Sequence, residues 1–165
     1  MGLVIHALKN IKQLEEGQEE MGYRAYVISK EWESRIKNLA YDKYYTGHEM
    51  DNEFEIAYPC SYHGIFRGHL LRIIGRADAV LADGKPDYVK LDAEGYAGMD
   101  FGLMINFADN DGMMDWEAAQ ELHGHFVKWF ASAQQVLGDN EGLYYYEAWM
   151  HICAWAAQEG CIVYR

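Results

Sequence analysis

The chain has 165 residues, half of them hydrophobic and 15% aromatic, which specifies one folded domain with a sizeable core and excludes a disordered segment. Its 14 basic and 26 acidic residues give a formal net charge of −12 with no Lys/Arg cluster, so it offers no footprint for nucleic acid or for an anionic membrane surface. No apolar run nears membrane-spanning length, no leader is legible at Met1–Ala7, and three cysteines (Cys60, Cys153, Cys161) make no disulfide framework; the expectation is a reduced, cytoplasmic protein.

Leu3–Leu8 reads as a buried strand, and the acid-rich stretch Lys9–Gly22 as an exposed loop or short helix. Tyr23–Ser29 carries the Tyr, Val and Ile of a strand and is expected to pair with the first. Over Lys30–Lys43 the spacing of Trp32, Ile36 and Leu39 fits a helix, and Tyr44-Tyr45 lead into a turn at Thr46-Gly47. Phe54–Tyr58 reads as a short strand closed by Pro59. Ser61 is placed to cap a helix that carries Ile65, Leu70, Ile73 and Ile74 and stops at Gly75. Ala82–Asp87 is a turn cluster, and Phe101–Phe107 suits a strand or buried segment. Asp115 caps one long helix with Trp116, Ala119, His123, Phe126, Phe130, Ala133 and Leu137 on one face, ended by Gly138. A last helix spans about Leu143–Gln158, and Cys161–Tyr164 is a terminal strand. No repeat or linker interrupts this order. It predicts a single α+β domain over residues 1–165, with a small, mainly antiparallel sheet and about three helices on one face.

Three constellations could carry chemistry. In the first, Pro59–Arg67, a helix start with Ser61 and Tyr62 carries His63 and Arg67 four apart on one face. Free N–H groups, a cation and hydroxyls there suit an anion; a capped helix with Arg67 ion-paired is the structural alternative. The second, Asn106–Gly112, alternates Asp109, Asn110, Asp111 and Gly112. Asp109 and Asp111 could hold a divalent cation weakly, although an Asx turn explains the same residues. In the third, His123 and His125 are two apart and share no helix face, so His123 is expected in the core. No P-loop, dinucleotide fingerprint, nucleophile elbow or zinc-protease motif is present.

Pro59–Arg67 followed by Leu70 resembles a segment of a family of small bacterial and phage-type proteins without an assigned function. In these, a serine and an aromatic or His precede Phe-Arg at a helix start, and a later Phe-Ala/Ser-Asp-Asn/Cys-Asp/Glu-Gly segment is matched here by Phe107–Gly112. Gly2–Asn10 and the helix around Trp149 look similar as well. Cys60 stands where a Tyr is usual, so no Tyr-dependent role carries over to that position. The resemblance implies that the two segments belong to one unit.

The expected function is binding of a small anionic, nucleotide-like ligand without turnover. Ser61, His63 and Arg67 would grip the anion, Asp109, Asn110 and Asp111 its hydroxyls or an accompanying cation, and Tyr62 and Trp116 would stack on a base. No cofactor is required. Such a protein could sequester a nucleotide signal, as some viral counter-defence proteins do, although that is analogy only. One alternative is a metal-assisted phosphoester hydrolase, with Asp109 and Asp111 on the metal, His63 as base and Arg67 stabilising charge. Another is an acidic module that docks a basic protein.

Overall fold

The computed structural model describes residues 2–25, 37–107, 112–138 and 141–165. Its centre is β1 (Gly2–Gln13), to which the third, fourth and last strands of the chain return. β2 (Tyr23–Ala25) pairs with β3 (Lys43–Glu49), and β3 lies antiparallel to Leu8–Gln13. β4 (Ile56–Pro59) lies antiparallel to Gly2–Ile5. β6 (Cys161–Tyr164) pairs with Ile5–Leu8 and, beyond it, with β5 (Gly112–Asp115). Every pairing is antiparallel, and the order is β2-β3-β1-β6-β5 with β4 beside β1.

The α+β class agrees with the sequence, but the helix count does not. Six helical segments occur among the described residues. They are α1 (Cys60–Ile73), α2 (Tyr88–Glu94), α3 (Gly102–Ile105), α4 (Trp116–Lys128), α5 (Phe130–Leu137) and α6 (Glu141–Ala156). The apolar stripe expected to make one helix after Asp115 is divided at Trp129, whose N–H still bonds the His125 carbonyl at 3.0 Å. Asp115 does cap α4, accepting from the Ala118 N–H at 3.0 Å. Ser61 does not cap α1; the N-cap is Pro59, which has no side-chain acceptor. Phe101–Phe107 is not a strand. Phe101 takes a left-handed conformation (φ 62°) and starts the one-turn α3.

Strand alternation sorts β1 onto two faces. Leu3, Ile5 and Ala7 join the main core with Ile56, Tyr58, Met114, Ile162 and Tyr164, and all the helical core residues pack on that side. Phe66, Phe126, Tyr146 and Trp149 are its largest helical contributors, each worth roughly 1.5–3 kcal/mol for burial. Leu8 faces the other way and packs with Ala25, Leu39, Tyr45, Met113, Cys161 and Val163 in a second, smaller core. The two-faced burial explains why β6 reads as a continuous apolar run.

Two other expectations differ. β1 continues through Lys9–Gln13, where β3 covers its edge, so part of the presumed loop is strand. Tyr44 to Gly47 lie inside β3, and Tyr23–Ala25 pairs there rather than with β1. The helix expected at Lys30–Lys43 and the remainder of the Tyr23–Ser29 strand fall largely outside the described residues. No helix among them is long and apolar enough to cross a membrane.

Candidate functional site

The site begins with two glycines one helical turn apart on α1. A Cβ on Gly68 would lie 1.8 Å from the Gly84 carbonyl oxygen, and one on Gly64 would touch the Lys85 side chain at 3.4 Å. Only bare backbone at Gly68 lets the 81–86 turn sit directly on the helix. Gly84 itself holds φ +87°, which closes that turn. This seating carries Lys85 to the side of α1 on which Ser61 and Arg67 also lie.

Between α1, the Lys85–Asp92 segment and the end of α3 lies a cleft of about 470 Å³. Ser61, Arg67, Lys85, Tyr88 and Asn106 supply its polar lining, with the carboxylate of Asp92 one turn further along α2. Cys60, Gly64, Pro86, Ile105 and Phe107 supply the remainder. Asn106 and Phe107, which open the second sequence motif, therefore share the cleft with the first motif.

Arg67 is its defining residue. The side chain is only 4% exposed. Its Nε donates to the Met104 carbonyl at 3.1 Å, and Nη2 donates to the Phe107 carbonyl. Nη1 donates to the Tyr88 hydroxyl at 3.3 Å, and that hydroxyl donates to the Ile105 carbonyl at 3.3 Å. The guanidinium thus caps the last turn of α3 and holds the 104–107 backbone as a wall of the cleft. Of its five N–H groups these bonds occupy three. Among the described residues no carboxylate lies within ion-pair distance of it, so the ion pair weighed as the alternative does not occur among them.

His63, four residues earlier, does not line the cleft. It is fully buried, and its ring packs at 6.2 Å from Trp149 and 6.0 Å from Tyr164. Nδ1 is 2.5 Å from the Tyr58 hydroxyl, while Nε2 has no hydrogen-bond partner among the described residues. Burial, reinforced by the neighbouring Arg67 charge, holds the imidazole well below its ordinary pKa, so it is a neutral core residue. Sequence spacing put the two side chains on one face correctly. That face is the buried one, and only Arg67 reaches the cleft from it.

The other expected residues separate likewise. Ser61 is exposed at the start of α1 and lines the cleft. Tyr62 is half-buried against Tyr58 and Tyr145, with ring centroids at 5.4 and 5.2 Å, and lies outside it. Trp116 opens α4, half-buried, and is also outside. Asp109, Asn110 and Asp111 fall outside the described residues. Among the described residues, no three His, Cys, Asp or Glu side chains converge to hold a metal ion.

Lys85, Tyr88 and Gly68 were not singled out by sequence. The pattern Gly-x-x-x-Gly at 64–68, next to the later Gly84-Lys85-Pro86 turn, was the available signal. The other end of the α3 segment is also pinned. His125 Nδ1 accepts from the Phe101 N–H at 3.0 Å, and its Nε2 faces Asp100 at 3.3 Å. Asp100 further accepts from Lys128 (2.6 Å) and Trp129 (2.7 Å), and the Lys128 hydrogen bond leads in holding its carboxyl below the usual range. Both nitrogens of His125 are thus committed to structure.

No protein-family model, curated protein or solved structure matches this chain.

Proposed function

We propose that the cleft beside α1 binds a small anionic, nucleotide-like molecule without turning it over. The observation that carries this reading is Arg67: a buried guanidinium on the cleft with no carboxylate partner among the described residues and two N–H groups left over. A buried cation is costly unless something compensates it, and carbonyl dipoles do so only in part. Ser61, the first turn of a fourteen-residue helix without a side-chain cap, and Lys85 add donors on the same cleft. Its volume falls at the small end of the range for ligand sites, roughly 300–1,000 Å³. The pairing of the two motifs that the family resemblance implies agrees with Asn106 and Phe107 sharing this cleft.

A hydrolase would need a base other than His63, which is buried away from the cleft. Binding without chemistry is therefore the better-supported reading. The test is a thermal-shift screen against nucleotides, followed by recovery of the ligand. Ligand at about a hundred times its Kd adds roughly 2.7 kcal/mol, a clear rise in Tm. The reading expects that rise, with the nucleotide recovered intact, and its loss in Lys85→Glu. A nucleotide consumed on incubation, or a rise unchanged in Lys85→Glu, contradicts it.

A further inference from the structure

The lining of the cleft narrows the class of ligand, and this step rests on the anion-binding reading above. Among the described residues two cations line it, Arg67 and Lys85, and one carboxylate, Asp92. Lys85 is partly committed elsewhere, since its ammonium is 3.8 Å from Asp83. The remaining attraction matches one phosphate group, which carries about −1.5 to −2 at neutral pH. Each further phosphate would bring charge that these two cations do not balance, into a protein whose formal net charge is −12.

The rest of the lining does not suit a bare anion. Cys60, Gly64, Pro86, Ile105 and Phe107 present apolar atoms or uncovered backbone to the same space. Phosphate or sulfate alone would leave that surface uncovered, whereas a planar ring would cover it. Asp92 can accept hydroxyl protons; one of its oxygens already accepts from the Tyr96 hydroxyl at 2.8 Å. We propose that the cleft takes a singly phosphorylated, ring-bearing molecule of mononucleotide size. The phosphate lies against Arg67, Lys85 and the first turn of α1, the ring lies on Pro86 and Ile105, and the hydroxyl-bearing part points to Asp92.

Isothermal titration of the full chain with a fixed probe set tests this. The probes are adenosine and cytidine 5′-monophosphates, the two nucleosides, the two 5′-triphosphates and inorganic phosphate. The expected result is that at least one monophosphate binds about tenfold or more tighter than phosphate or its own nucleoside, with the triphosphate no tighter. Lys85→Glu, a change at a half-exposed side chain, should weaken that monophosphate about tenfold and leave Tm of the free protein unchanged. Triphosphates binding tenfold tighter would overturn the one-phosphate assignment while leaving anion binding intact. Inorganic phosphate equal to the monophosphate would overturn the ring. Silence from every phosphorylated probe would remove the anion-binding reading itself, and this proposal with it.

Discussion

His63 and Arg67 are one helical turn apart on α1, and both are buried, yet they serve different regions of the molecule. His63 enters an aromatic core in which it hydrogen-bonds Tyr58. Arg67 enters a polar wall made of carbonyl oxygens and borders open space. Low dielectric acts on both, with opposite consequences. The imidazole escapes the cost by staying neutral, whereas a guanidinium cannot deprotonate and depends on the acceptors around it. Under the proposed reading an anion joins those acceptors at Arg67, and the His63 region has no such place for one.

The largest effect should come from removing the glycine that sets the two regions apart. Gly68→Ala drives a Cβ into the Gly84 carbonyl, where neither backbone can yield cheaply. We expect a loss of about 3 kcal/mol or more in urea denaturation, together with loss of ligand binding as the Lys85 turn lifts. A loss below 1 kcal/mol would mean that the turn is not seated as described.

Arg67→Met comes next. It keeps the bulk but strands the Met104 and Phe107 carbonyls, at a cost of about 2–3 kcal/mol, and it should abolish binding. Its counterpart on the core side, His63→Phe, should cost only about 1 kcal/mol for the orphaned Tyr58 hydroxyl and leave affinity unchanged. Equal effects of the two substitutions on affinity would collapse the distinction between the regions.

Acid should act on the core side. Burial lowers His63 well below 6.5, and burial followed by the Arg165 charge lowers His6 to about 4. Unfolding releases both rings to take up protons near their ordinary pKa. Their native states are thus undisturbed above pH about 6.5, and stability falls as pH drops below it, by up to about 1.4 kcal/mol per pH unit for each ring. Stability curves of wild type and His63→Phe should diverge in that window, with the variant less acid-sensitive; parallel curves would show that His63 already titrates normally in the folded protein. The smallest effect on stability belongs to Lys85→Ala, within about 0.5 kcal/mol by thermal melting, since its only ion pair is exposed and 3.8 Å long.

Sequence patterns were informative where periodicity and punctuation coincided. Asp115, Gly138 and the run Cys161–Tyr164 mark element ends where the structure has them, because capping and chain reversal are local chemistry. For Phe101–Phe107 the buried segment, rather than the strand, is what forms, since a short apolar run is compatible with any buried conformation and the left-handed Phe101 leaves no compositional trace. The stripe from Trp116 to Leu137 could not reveal the break at Trp129, and His123, expected in the core, is only half-buried, because Ala118 and Leu122 take the buried side of α4 with Ala119 and Phe126.

The candidate site was legible only in part. Ser61 and Arg67 stood out by residue type and position. Two of the partners of Arg67 are backbone carbonyls 37 and 40 residues away, which carry no sequence signature, and the third is the Tyr88 hydroxyl, 21 residues away. Lys85 is brought in by Gly68 and Gly84, whose role depends on a close approach that only the folded chain reveals.

Cys60 offers the most direct test that ligand occupies the cleft. It is half-exposed and lines it, while Cys153 and Cys161 are fully buried, with burial pushing both thiols up. One thiol should therefore react with a small alkylating reagent under native conditions. With saturating nucleoside monophosphate, the account predicts that this alkylation slows about tenfold or more, and that prior alkylation of Cys60 blocks binding. An unchanged rate at saturation would place the ligand elsewhere and contradict the central claim.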